Sequence, residues 1–219
     1  MGLNTHTRAS GSWALVPIKA RAQCKTRLTA LPPDARQRLV ALLLERVMGA
    51  LRSAYTIERI AIVTPEPDDL PDDALGLFEE APGLNAALSV AREQLRCRGA
   101  RDVVILPADL PFVSGRDIDA FVEHGRRRGF ALASDTAGVG TNALYLPPSV
   151  PFEFQFGPRS RTLHLAQAMR LGLAPAVVHN EGLEFDLDQN GDLARLSAHA
   201  DERFRTFSIP MEQPCPVMT

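Results

Sequence analysis

Apolar residues along this chain fall into short solid runs separated by stretches in which they recur about every four positions. Leu39, Leu43, Val47 and Leu51, flanked by Val40, Leu44 and Met48, predict an amphipathic helix from Asp34 to Ala54, opened by Pro33 and Asp34. Further helices are expected from Gly83 to Arg98, over 115–128, over 160–172 and near 190–198. Between them, apolar runs predict strands at 13–18, 59–64, 102–106, 130–134, 142–147, 175–178 and 182–187, with a weaker one at 75–80. Strands alternating with helices give an α/β fold, a mostly parallel sheet flanked by helices on both faces. No internal repeat or composition break divides the chain. One domain over 13–207 is therefore expected, between a flexible N-terminus (1–12) and a loose tail (208–219) carrying Pro210, Pro214 and Pro216.

Ligands of an open α/β sheet sit outside the carboxyl ends of its strands. That directs attention to three segments: the loop after strand 13–18, P-A-D-L-P after strand 102–106, and the end of strand 182–187. The first holds the only two lysines of the chain, Lys19 and Lys25, in P-I-K-A-R-A-Q-C-K-T-R-L. With Arg21 and Arg27 they form a run of cations without an intervening acid, suited to gripping a polyphosphate. Asp109, in the second segment, ends a buried strand, and Ser114 rather than Asp109 is placed to cap the next helix. Asp186 and Asp188 in E-F-D-L-D-Q-N-G-D-L alternate at strand spacing, so only one of them is expected to share a cleft with Asp109 unless the other bends in at the strand end. Carboxylates from separate strand ends suit Mg²⁺, which keeps positions open for phosphate and water. Ser160 stands at a predicted helix N-terminus after a glycine and a proline. There it either caps the helix or, with free amides and the helix dipole, receives a phosphate; both roles are compatible.

Composition removes other classes. A net charge of −2 argues against broad nucleic-acid binding. No apolar run approaches membrane-spanning length and no secretory h-region is present, so a cytoplasmic location is expected. Cys24, Cys97 and Cys215 are far apart and read as reduced thiols. The five histidines form no close ligand pair and are expected to face solvent or bond locally. Neither a serine-hydrolase elbow nor a P-loop occurs.

Six segments in order, P-I-K-A-R-A-Q-C-K-T-R-L, G-L-N-A-A-L, L-P-A-D-L-P, G-T-N-A-L, F-G-P-R-S and F-D-L-D-Q-N-G-D-L, make residues 13–198 resemble the 2-phospho-L-lactate guanylyltransferase family of coenzyme F-420 biosynthesis. The resemblance implies a nucleotide-diphospho-sugar transferase fold and GMP transfer from GTP to a phosphorylated three-carbon acid. It implies GTP contacts at Lys19, Lys25, Arg27, Gly83 and Asn85, with Lys19, Lys25 and Asp109 catalytic. Acid contacts are implied at Thr141, Gly157 and Ser160, and Mg²⁺ contacts at Asp109, Asp186 and Asp188. Arg159 and Arg161 receive no role. V-P-I-K stands where molybdenum-cofactor guanylyltransferases carry L-A-G-G, and the glycine-rich first loop of sugar-phosphate nucleotidylyltransferases is missing, so both of those readings are disfavoured. A catalytically silent nucleotide-binding protein is the remaining rival, disfavoured by retention of Asp109 and Asp186. Among 2-phospho-L-lactate, phosphoenolpyruvate and 3-phospho-D-glycerate, the last is slightly preferred. A homodimer, and handover to a transferase that consumes the product, are left open.

Overall fold

Strand β1 (Ser12–Pro17) is buried from Ser12 to Val16 because it has a strand on each edge and helices on each face. The structure is a computed structural model describing residues 11–19, 25–66, 70–78, 83–199 and 202–207. Arg21, Cys24, Cys215, most of the expected N-terminal segment and the tail from 208 lie outside the described residues. The remaining strands are β2 (Ile57–Thr64), β3 (Ala74–Phe78), β4 (Val103–Ile105), β5 (Ala131–Ser134), β6 (Thr141–Leu146) and β7 (Ala176–Val177). They form one sheet in the order β3-β2-β1-β4-β6-β5-β7. Every neighbouring pair is parallel except those made by β6, which runs antiparallel to both β4 and β5. The start of β6 therefore lies at the edge where β1, β2 and β4 end.

Alternation along the strands divides the core between two layers. Ala14, Val16, Ile60, Ile62 and Val104 pack against Val47, Met48 and Leu51 of helix α1 (Pro33–Ser53) and Ile118, Phe121 and Val122 of α3 (Gly115–Arg128). Trp13, Leu15, Ala61, Val63 and Ile105 face Leu88, Ala91 and Leu95 of α2 (Leu84–Cys97) and Ala168 of α4 (Ser160–Arg170). A third cluster joins Leu28 to Leu39 and Leu43 of α1, to Leu187, and to Leu193 and Leu196 of a helix near the end of the chain. The helix starts follow local chemistry. Pro33 occupies the first turn of α1, and Ser114 closes a capping box with Asp117 at α3.

One expected element is different. Residues 182–187 do not form a strand; α5 (Glu181–Glu184) begins there, with the Asn180 side chain accepting from the Leu183 amide, and 185–188 continue without strand pairing. The alternation of Leu183, Phe185 and Leu187 that suggested a strand has another cause. Leu183 joins the α1/α3 layer, Phe185 stacks on Phe112 at 4.9 Å, and Leu187 enters the third cluster. The last helix, α6 (Asn190–His199), falls where expected and is followed by a 3₁₀ turn at Glu202–Phe207. Among the described residues, no helix is long and apolar enough to cross a membrane.

Candidate active site

At the carboxyl edge of the sheet, the lysine loop, the P-A-D-L-P turn and the 185–188 segment meet. Lys25 is the link. Its backbone takes the left-handed conformation (φ 53°), uncommon for a residue with a side chain, and its Nζ reaches Asp109 Oδ2 at 2.5 Å and Asp188 Oδ1 at 2.9 Å. Arg27 stands 3.9 Å from Asp188 Oδ2 but is mostly exposed, and Lys19, exposed at the end of β1, adds positive charge that Asp188 feels. The loop is anchored from below. Leu28 is fully buried, the Ala30 amide donates to Asn190 Oδ1, and Asn190 Nδ2 donates to Thr29. The opposite wall is tied by the Leu187 amide donating to the Asp109 carbonyl, and by Asp192 accepting from the amides of Asp188 and Gln189.

Asp186 completes the cluster. Burial first, then the charges of Asp109 and Asp188, push its carboxyl up to about 6, while Asn142 Nδ2, 3.3 Å from its Oδ1, opposes the rise. Burial also works against the charge on Asp188, yet Lys25, Arg27 and Lys19 hold that carboxyl below the usual range. Burial would lower the Lys25 ammonium, but Asp109 and Asp188 hold it above the ordinary lysine value. Both Asp186 and Asp188 thus act on the region of Asp109, which a flat paired strand would not have allowed. Asp109 Oδ1 is buried and has no hydrogen-bond partner among the described residues. A buried unpaired carboxylate oxygen beside a carboxyl pressed toward neutrality is a donor set short of positive charge, and it fits a hard divalent cation. Among the described residues no three His, Cys, Asp or Glu side chains group closely enough to hold a metal by themselves. A cation here would rest on fewer protein carboxylates, with ligand oxygens and water filling its other positions.

The three expected acid contacts lie on the α4 side. Thr141 begins β6, Gly157 has φ 131°, and Ser160 is the first residue of α4. The cap of α4 is Arg159, left-handed at φ 61°, so Ser160 is not the capping residue. Nor are the first amides free as expected: Ser160 N–H donates to the Gly157 carbonyl and Arg161 N–H to the Val139 carbonyl, because the loop folds back over the helix end. Recognition here would depend on hydroxyls, and on Arg161, whose Nε is buried without a partner among the described residues. Gly83 takes φ 92° before α2, a conformation that favours glycine. The Asn85 amide is engaged by the Phe156 backbone, accepting its N–H at 2.7 Å and donating to its carbonyl at 3.1 Å. That leaves one Nδ2 proton for any nucleotide.

Sequence reading missed two residues here. Asn142, inside G-T-N-A-L, donates to the Leu183 and Glu184 carbonyls as well as approaching Asp186, so it fastens the carboxylate segment to β6. His164 has no exposure and bonds Thr141 and the Gln155 amide; no sequence signal marked it. Burial alone lowers His164 to about 4 from its ordinary 6.5. The unfolded chain gains this proton as pH falls through 6.5, whereas the folded chain gains it only near 4. The folded state should therefore lose about 3 kcal/mol between those values through this group. Protonation of Asp186, raised to about 6, acts in the opposite direction and must be subtracted. Urea unfolding of the protein and of His164→Gln across this range isolates the difference; equal acid losses in both would refute it.

A seven-stranded sheet with one reversed strand and a polar cluster at its carboxyl edge places the protein among nucleotide-diphospho-sugar transferase folds. It superposes on a Desulfovibrio desulfuricans protein assigned as a nucleotide-diphospho-sugar transferase with a TM-score of 0.68 at 15% identity, covering 90% of this chain and 98% of that one. On 4-diphosphocytidyl-2C-methyl-D-erythritol synthase from Anaerococcus prevotii the TM-score is 0.61 at 10% identity, covering 86% and 95%. Residues 12–207 match the family described as "Guanylyl transferase CofC like", and the chain belongs to that family. It is 40% identical to a phosphoenolpyruvate guanylyltransferase of Rubrobacter xylanophilus, over 88% of this chain and 97% of the relative. It is 38% identical to one of Sphaerobacter thermophilus, over 85% and 93%. The protein is a GTP-dependent nucleotidyltransferase of the guanylyl-transferring kind.

Proposed function

We propose that this enzyme transfers GMP from GTP to the phosphate of a phosphorylated three-carbon acid, releasing pyrophosphate, and that it does so in the cytoplasm within coenzyme F-420 biosynthesis. The observation that carries the reading is the Lys25 ammonium set between Asp109 and Asp188, with Asp186 beside them. The names of the relatives favour phosphoenolpyruvate as the acid, ahead of the 3-phospho-D-glycerate slightly preferred from sequence.

The acid's phosphate needs no general base. Its second pKa of about 6 leaves an anionic oxygen at neutral pH. That oxygen attacks the α-phosphorus of GTP, the bond to the β-phosphate oxygen breaks, and pyrophosphate leaves in line. The obstacle is repulsion between two polyanions, and the chain's own cations lower it. An ammonium has three protons, two of which Lys25 gives to Asp109 and Asp188, so the third can hold a phosphate oxygen. Lys19 and Arg27, both exposed, extend the positive field over the triphosphate. Gly83 and Asn85 at the start of α2 are assigned to the nucleotide, and Thr141, Gly157 and Ser160 to the acid. Asp109 and Asp186, with Asp188 beside them, would hold Mg²⁺, which when bound neutralises charge on the reacting phosphates.

Pyrophosphate release is the test: the enzyme is incubated with GTP and Mg²⁺ and, separately, with phosphoenolpyruvate, 3-phospho-D-glycerate and 2-phospho-L-lactate. Turnover with one of these acids is expected. Release with none of the three would overturn the reading.

A further inference from the structure

Resting on the assignment of Thr141 to the acid substrate, we infer that His164 is a positioning residue that fixes the direction of the Thr141 hydroxyl proton. His164 Nε2 lies 2.9 Å from the Gln155 backbone amide, and its Nδ1 lies 3.0 Å from Thr141 Oγ1. A backbone N–H only donates, so Nε2 must present its lone pair. The imidazole is neutral, enclosed between Phe152 and Phe156 at ring separations of 5.5 and 5.0 Å, so its single proton is on Nδ1. Nδ1–H then donates to Thr141 Oγ1. The hydroxyl's own proton cannot point back at the ring and is directed away from it, and no second hydrogen bond of that side chain occurs among the described residues. Thr141 becomes an obligate donor, suited to an oxygen of an anionic substrate.

The other two assigned positions lie close along the chain to groups this ring holds. Ser160 lies one helical turn before His164 on the buried face of α4, and both are almost fully enclosed. Gln155, held through its amide, is two residues from Gly157. Thr141 on β6 and the Gln155–Ser160 segment are separate stretches of chain, and a single neutral histidine bridges them through Thr141 and the Gln155 amide. The ring acts on substrate only through Thr141, by fixing the direction of that hydroxyl's proton without touching the ligand itself.

The test separates the two hydrogen bonds. Glutamine places an acceptor near the Nε2 position and loses the Nδ1 donor; asparagine places a donor near Nδ1 and loses the Nε2 acceptor. His164→Gln should raise KM for phosphoenolpyruvate about tenfold or more with KM for GTP unchanged, while His164→Asn should restore most of the loss. In a Thr141→Val background, which itself should raise KM for phosphoenolpyruvate, His164→Gln should cost nothing further. In the unsubstituted enzyme, ¹⁵N NMR near neutral pH should find His164 neutral and protonated at Nδ1. An Nε2-protonated ring, an imidazolium, or equal rises in both KM values with His164→Gln would overturn the proposal whether or not the variants fold well. If Thr141→Val leaves KM for phosphoenolpyruvate unchanged, the acid-site assignment fails and this inference with it. If Thr141→Val weakens the acid but His164→Gln does not, only the role of His164 fails.

Discussion

Asp109→Asn is expected to lower kcat by about a thousandfold or more, with the fold preserved. Asparagine has nearly the same shape and keeps an oxygen in place, so packing around the P-A-D-L-P turn is retained. What it loses is the charge at a buried carboxylate oxygen that has no hydrogen-bond partner among the described residues. Stability should change little. Lys25 keeps Asp188 at 2.9 Å, and Asp186 is relieved of a neighbouring charge that disfavours its ionised form. Steady-state kinetics in saturating Mg²⁺, with an unfolding curve as control, decide the matter. Turnover within tenfold of the unsubstituted enzyme would remove Asp109 from the reaction.

Lys25→Ala should give the second largest effect, through two separable losses. The first is on GTP: without the third proton of the ammonium, KM for GTP should rise about a hundredfold, the scale of one charge-assisted hydrogen bond lost in a partly enclosed site. The second is on the apo protein, where Asp109, Asp186 and Asp188 face one another without their central cation. Removing one partner of a buried pair costs about 3–5 kcal/mol, but Asp188 is half exposed, so about 1–2 kcal/mol is the scale expected here. Added Mg²⁺ should recover part of the thermal midpoint in the variant and shift the unsubstituted protein less. Unchanged GTP kinetics would count against the grip, and melting curves insensitive to Mg²⁺ would count against a shared cation site. Lys25→Arg should not rescue, because a planar guanidinium does not fit between two carboxylates spaced for an ammonium.

Periodicity was enough to place the longer helices and nearly all the strands, because their apolar faces pack into the core. It failed at 182–187, where Leu183, Phe185 and Leu187 alternate for three different reasons and Asn180 starts a helical turn. Chemical type and loop position pointed to Lys25, Asp109 and the Asp186–Asp188 segment, since unlike charges at strand ends have few structural uses. What could not be read was the pairing: that Lys25 would join Asp109 to Asp188, or that Asn85 would turn its amide to the Phe156 backbone. Such contacts depend on three-dimensional neighbours rather than spacing. His164 was invisible for the same reason, since a single histidine on the buried face of a helix gives no hint of what lies opposite.

Thr141 and Asn142 are adjacent on β6 and therefore point to opposite sides of the sheet. One bonds His164 in the α4 layer; the other fastens Asp186 and the turn before it. A single peptide unit is thus common to both contacts, and any slide of β6 along its axis would displace both together. If Thr141 meets the acid and Asp186 the nucleotide's metal, as proposed, two chemically unlike substrates share one mechanical reference.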